Sequence, residues 1–255
     1  GGGGSADPND LLMEISTKST HASQVREDIE TYGPMVEQLA ADVKRKRPSN
    51  MVELKEYVQE IDGRLGVLSD EHAVLKHFEW PEAKYDCFRE ASALHDEFEG
   101  LKDDMAKTGV DRLRERQQPG GPSHEAYAAE LLKVAEKVRA KVQKEEGGME
   151  SRSQKFKENH VPWDPNALLD IKRSSLILVR AHLASSLSEA RPLQELGGGE
   201  AEAKAHRHLT ASVYFAFKMH QFTGGFDSEC SELFGEVSEL ITASELPVDP
   251  SAIDL

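Results

Sequence analysis

Aromatic residues make up only 6% of this 255-residue chain, while charged residues make up 30%. So thin a supply of rings argues against a compact enzyme with a deep pocket and suits long, exposed helices. Cysteine is scarcer still. Cys87 and Cys230 are the only two, far apart and outside any CxxC spacing, so the chain reads as reduced and intracellular. No apolar run approaches the ~18 residues that a membrane span needs, and the start shows no signal-peptide pattern. Positive charge is in deficit: a net charge of −15 and a pI near 5.1 argue against general binding to nucleic acid or anionic membrane, both of which need a cationic face. A local basic patch is the exception this leaves open. No segment alternates apolar and polar residues at a period of two, so strands are not expected and the fold class is all-α.

What the chain does have is helical periodicity. Leu54, Val58, Ile61, Leu65, Leu68, His72 and Leu75 are spaced by four and three, which predicts one side of a single helix. That seam runs into Leu75, Lys76, His77, Phe78, Glu79, Trp80, Pro81 and Glu82, where Pro81 must stop the helix but suits the first turn of the next. Upstream, Leu11, Ile15, Ala22, Val25, Ile29, Tyr32, Val36, Leu39 and Val43 form a second seam, in which Gly33-Pro34 should kink or split the helix. Lys44, Arg45, Lys46 and Arg47 close it at the negative end of the helix dipole. Asn50 with Glu53 forms a capping-box-like start. The third helix carries Cys87, Ala91, Leu94, Phe98, Leu101 and Met105 on one side.

Gly and Pro cluster over residues 108–123, which predicts a loop; Gly147-Gly148 should interrupt the following helix, and 197–200 should be flexible. The resulting division is a linker over 1–10, an N-terminal heptad helix over 11–47, a helical C-terminal module over 48–243 and a disordered tail over 244–255. The architecture expected is an elongated multi-helix scaffold with a coiled-coil-like first helix. The opening GGGGS reads as a linker, and the chain as a fragment of a longer protein.

Motifs for catalysis are missing: there is no GxxxxGK[ST], HExxH or GxSxG, and no paired zinc-ligand spacing. The glycine runs read as breaks between helices. His206 and His208, two apart on a helix, point to different faces and make a poor chelate, and His72 on its apolar seam reads as a packing histidine. No catalytic, cofactor or metal residues are assigned, and the 46 acidic residues read as solvated surface.

A second conspicuous word is Phe217 to Asp227, FKMHQFTGGFD. Four bulky side chains, Phe217, Met219, Phe222 and Phe226, surround Gly224-Gly225 and an Asp cap, so a helix should end, reverse and restart there. Packing is the plain reading of such a corner; a knob for a partner is the sharper one.

These words resemble the C-terminal region of the plant chloroplast unusual positioning protein and the increased petal growth anisotropy proteins. The family's DERAVLKHFDWPE is matched by Asp70, Glu71, Ala73 to Phe78, Trp80, Pro81 and Glu82. Its FAxRxHQFAGGFD is matched by Phe217, His220, Gln221, Phe222, Gly224, Gly225, Phe226 and Asp227. Between them, VPWDPNALLDIKRSS is similar to an IPVDW segment followed by KIKxSS, with Ile171, Lys172, Ser174 and Ser175 in register. The sequence departs from the family at His72, at the arginine replaced near Lys218 and Met219, and in an expanded stretch from Arg112 to Pro122.

The resemblance implies an all-helical module, likened to the actin-assembling core of formins. It implies a module that binds actin and promotes filament assembly for chloroplast positioning, in the cytosol at the chloroplast outer envelope, with profilin engaged through upstream sequence. A homodimer through the N-terminal heptads is expected. The petal-growth branch implies instead a microtubule-associated protein of the cortical cytoskeleton; a passive coiled-coil tether is the third reading. Actin and tubulin are both acidic, so contact should come from the few clustered cations, Lys44, Arg45, Lys46 and Arg47 with Lys172 and Arg173. The plain reading of the first cluster is a helix cap facing solvent.

Overall fold

The computed structural model describes residues 8–244, apart from the side chains of Pro8, Asp10, Leu11, Leu12, Glu14 and Ile15. Every regular element among the described residues is helical. The expectations for residues 1–7 and 245–255, and for the seam positions Leu11 and Ile15, lie outside what is described. The chain divides into two compact units: one formed by the residues up to His95 with Arg152–Trp163, the other by Asp96–Ser151 with the residues from Asp164 onward.

The first unit is built on α1 (Pro8–Arg45), α2 (Met51–Leu65), α3 (Glu71–Leu75) and the start of α4 (Glu82–Ala106). Helix α1 begins inside the stretch expected as a linker. It also runs unbroken through Pro34, contrary to the expected split. A proline here removes one helical hydrogen bond and crowds the preceding turn. Gly33 relieves part of that crowding because it brings no Cβ against the proline ring. It also lets Phe78 approach: a Cβ at Gly33 would lie 3.4 Å from the Phe78 ring. Val36, Leu39, Ala40 and Val43 are buried, whereas Ser16 to Gln24 are exposed. The second half of the heptad seam is therefore core within the chain.

The seam from Leu54 to Leu75 is not one helix. Leu54, Val58, Ile61 and Leu65 are buried on α2 as expected, but α2 ends at Gly66 and α3 starts afresh behind Asp70, whose carboxylate accepts from the Ala73 N–H at 2.8 Å. Ser69 is drawn off to α1, donating from its N–H (2.7 Å) and hydroxyl (2.6 Å) to Asp28. Local capping overrides periodicity here, so His72 is exposed instead of packed. The start of α2 matches the sequence closely. Asn50 accepts from Glu53 N–H at 2.9 Å, and Glu53 reaches back to Ser49, one residue earlier than the standard box. The carboxyl of Glu53 is held down at about 2, chiefly by Lys46 and then by Ser49.

The second unit contains the rest of α4, a π-helical turn (Lys107–Asp111), α5 (Arg112–Arg116) and the first part of α6 (His124–Glu158). It is completed by α7 (Ala167–Ser174), α8 (Leu176–Leu196), α9 (Gly199–Thr223) and α10 (Ser228–Ala243). The loop expected over 108–123 shrinks to residues 117–123, because the π turn and α5 occupy its first part. Gly109 is buried in that turn, and a Cβ there would meet the Ile177 side chain at 3.0 Å. Gly147-Gly148 sits within a continuous α6: both glycines are exposed, and the cost of about 1 kcal/mol each in a helix is borne by the buried stripe on the other face. Helices α7 and α8 meet at Ser175, the C-cap of α7. Helix α8 is buried on most of its circumference, through Leu178, Val179, Ala181, His182, Leu183, Ser185, Ser186 and Ala190, and packs on α9 and α10.

Candidate functional site

Four places hold the candidate residues, two in each unit. In the first unit, Asp62, Glu71, Tyr85 and Arg89 form a rigid polar wall behind the first corner. Arg89 donates to both oxygens of Glu71 (2.7 and 3.0 Å) and from Nε to Asp62 (2.8 Å), while its guanidinium lies 4.7 Å over the Tyr85 ring. The Tyr85 hydroxyl donates to Asp62 at 2.8 Å, and Trp80 meets Tyr85 edge-on at 5.3 Å. Leu75 is buried; Phe78, Trp80 and Pro81 are half-buried; Lys76 and His77 are exposed. Pro81 opens α4, its carbonyl accepting from the N–H groups of Lys84 and Tyr85.

The basic run Lys44 to Arg47 is largely engaged within the unit. Lys44 pairs with Glu79 at 3.3 Å and Arg45 with Asp42 at 2.9 Å. Lys46 donates to Glu53 at 2.7 Å and sits 4.8 Å over the Tyr57 ring. Arg47 folds back on the carbonyls of Lys44 and Lys46. Those same two carbonyls accept from Lys84, whose amine is brought down to about 8 by burial and by Arg47. The run is thus a knot tying α1 to α2 and α4, in which the Arg45 side chain stands further out than Lys44 or Lys46.

In the second unit, the word from Phe217 to Asp227 makes the expected reversal. Gly224 caps α9 in the left-handed region (φ 78°), and the N–H groups of Gly224 and Gly225 both donate to the His220 carbonyl. Asp227 caps α10 by accepting from Cys230 N–H at 2.8 Å and pairs with Arg180 at 2.5 Å. His220, itself exposed, meets Phe226 edge-on at 4.8 Å, and Phe226 meets Phe234 at 5.6 Å. Met219 is buried, Phe222 and Phe226 are half-buried and Phe217 is exposed. Phe217 lines an apolar groove of about 430 Å³ with Val213, Tyr214, Phe234 and Ile241. Lys172 pairs with Glu146 and lies 5.5 Å from the Phe222 ring; its neighbour Arg173 is exposed.

A buried histidine cluster went unread in the sequence. His124 at the start of α6 stacks on His208 of α9 at 4.3 Å and lies 5.9 Å from His182 of α8. His124 Nδ1 is 3.0 Å from the Ser185 hydroxyl, to which Arg116 also donates (2.8 Å) before reaching Glu189 at 2.6 Å. His208 Nε2 is 3.2 Å from Glu125. Neither ring nitrogen of His182 has a hydrogen-bond partner in the protein. Burial, then the neighbouring His208 and Arg116, push His124 down to about 4; burial, then His124 and His208, push His182 to about 3. Three separate helices supply these rings, so no spacing rule could unite them. His206 takes different surroundings from His208, its Nδ1 lying 2.8 Å from the Ser244 hydroxyl. No group of three His, Cys, Asp or Glu side chains among the described residues is arranged to hold a metal ion.

Comparison with known proteins bears on both corners. The family model described as "IPGAL1-like, C-terminal domain" matches residues 123–252, half of the chain. The chain belongs to that family. The match spans the reversal at Gly224-Gly225 and the Lys172 word, and it agrees with the increased petal growth anisotropy resemblance. An uncharacterized Arabidopsis thaliana protein, At4g04980, is 24% identical over 246 residues, covering 94% of this chain and 32% of its own length. The chain thus spans about a third of that relative's length.

Proposed function

We propose that this IPGAL1-like module is a non-enzymatic cytoskeletal part that binds actin and promotes filament assembly for chloroplast positioning, working in the cytosol at the chloroplast outer envelope. Membership of the family carries the reading, through the match that includes the second corner. The helical build supports it: the surfaces on offer are helix faces and capped corners, with the exposed Phe217 beside a rigid reversal. Among the cationic candidates Lys44, Arg45, Arg47 and Arg173 are exposed; Lys44 is tied to Glu79 and Arg47 to backbone carbonyls, so Arg45 and Arg173 are the proposed electrostatic contacts, and salt weakens binding. Self-association runs through the N-terminal heptads of α1, where Ser16 to Gln24 are exposed, and profilin enters through sequence upstream.

The test is co-sedimentation with filamentous actin at low and moderate salt, using the chain and its Arg45→Glu/Arg173→Glu variant. Binding that is salt-sensitive and lost in a still-helical variant supports the reading. Wild-type binding by that variant removes both arginines from the contact. The chain pelleting with microtubules and not with actin overturns the proposal.

A further inference from the structure

The first corner encloses a cavity of about 490 Å³ lined by Glu71, His72, Lys76, Trp80, Glu82 and Asp86, with Leu75, Phe78 and Arg89 completing it. That volume falls in the range of binding pockets for small groups, about 300–1,000 Å³. Its back wall is fixed, because Arg89 is held by Glu71 and Asp62 and Tyr85 is tied to Asp62. Arg89 is therefore already neutralised from within. Counting Asp62, four carboxylates (Asp62, Glu71, Glu82, Asp86) face two cations, Arg89 and Lys76, and His72 stands 4.0 Å from Glu82. Glu82 and Asp86 project from successive turns of α4, both exposed, and two rings, Phe78 and Trp80, line the same space.

We propose that this cavity is a recognition pocket for one basic side chain, arginine or lysine, presented by a partner polypeptide. The cation enters between Glu82 and Asp86 and lies against the aromatic lining. Carboxylates supply charge-assisted hydrogen bonds, and the rings supply cation–π attraction. An anionic group would face an excess of carboxylates over cations, and an uncharged apolar group would strip water from these carboxylates without pairing them. The inference stands apart from actin binding, and failure of one leaves the other intact.

Trp80 is a built-in reporter once the other tryptophan is removed by Trp163→Phe. The probes are acetyl-Gly-Arg-Gly-amide and the same peptide with citrulline, which keeps the shape but loses the charge and exchanges one NH2 donor for a carbonyl acceptor. The expected result is a saturable change in Trp80 emission with the arginine peptide and none with citrulline. Glu82→Gln/Asp86→Asn weakens the arginine response by about tenfold or more, and Glu232→Gln/Glu239→Gln on α10 leaves it unchanged. Calorimetric titration of the chain without the Trp163 change gives the same comparison if that variant does not fold. No saturable response, an equal response to citrulline, or equal weakening by the α10 pair overturns the proposal.

Discussion

Lowering the pH from 7 to 5 should destabilise the second unit well before its carboxylates begin to titrate. His124 and His182 are buried, and their folded values of about 4 and about 3 lie below the ordinary value of 6.5. The folded state then binds fewer protons than the unfolded one. Their full stability is present above about pH 6.5 and drains away as the pH falls toward the folded values. Between pH 7 and 5 each gives up about 2 kcal/mol, so the pair gives up about 4 kcal/mol, a large part of a domain's total stability. Carboxylates held low act later: Glu130, lowered by its bond with Arg112, yields its contribution only as the pH falls below its ordinary value near 4.5. Urea unfolding followed by far-ultraviolet circular dichroism at the two pH values measures the loss. Both tryptophans, Trp80 and Trp163, belong to the first unit, so ellipticity is the signal that includes the second.

The decisive variant is His182→Leu. It removes two unpartnered buried nitrogens, which should raise stability at pH 7 by about 1 kcal/mol or more, and it should cut the pH-dependent loss to about 2 kcal/mol. Equal stability of the parent chain at pH 5 and 7 would refute the reasoning. So would a His182→Leu chain that keeps the full pH dependence.

Other consequences are more local. Trp80→Ala should cost about 2–3 kcal/mol, below the range for a fully buried tryptophan because the indole is half-buried, and thermal unfolding reads it directly. Gly224→Ala should cost about 1 kcal/mol, since its left-handed backbone penalises a Cβ although the space around it is open. Gly109→Ala should cost about 1–3 kcal/mol by forcing Ile177 away from the π turn. Deleting residues 1–23 should convert a dimer to a monomer in light scattering without unfolding the chain, because Val25 is the first buried residue among the described side chains of α1. A chain that is monomeric before deletion would end the dimer proposal.

The helical class, the buried stripe from Cys87 to Met105, the Asn50 and Asp227 caps and the reversal at Gly224-Gly225 were legible because each depends on residues within a turn or two of one another. What periodicity misjudged was the balance between a heptad and a cap. Leu68, His72 and Leu75 continue the spacing of α2, yet Asp70 and the capture of Ser69 by Asp28 break the helix first. The reading of Gly147-Gly148 as a break failed in the opposite direction, and Gly33-Pro34 does not split its helix. Gly33-Pro34 and Gly147-Gly148 lie inside helices because their neighbours pack well enough to hold them. The knot at Lys44 to Arg47 and the histidine cluster join side chains far apart in sequence, from Lys84 and from three different helices. Such pairings belong to packing, and a single sequence does not display them.

Assembly of pyrene-labelled actin by the purified chain, run beside microtubule co-sedimentation, tests the central claim most directly. The account predicts a concentration-dependent shortening of the assembly lag with no pelleting on microtubules. An unchanged actin time course together with microtubule binding would contradict it.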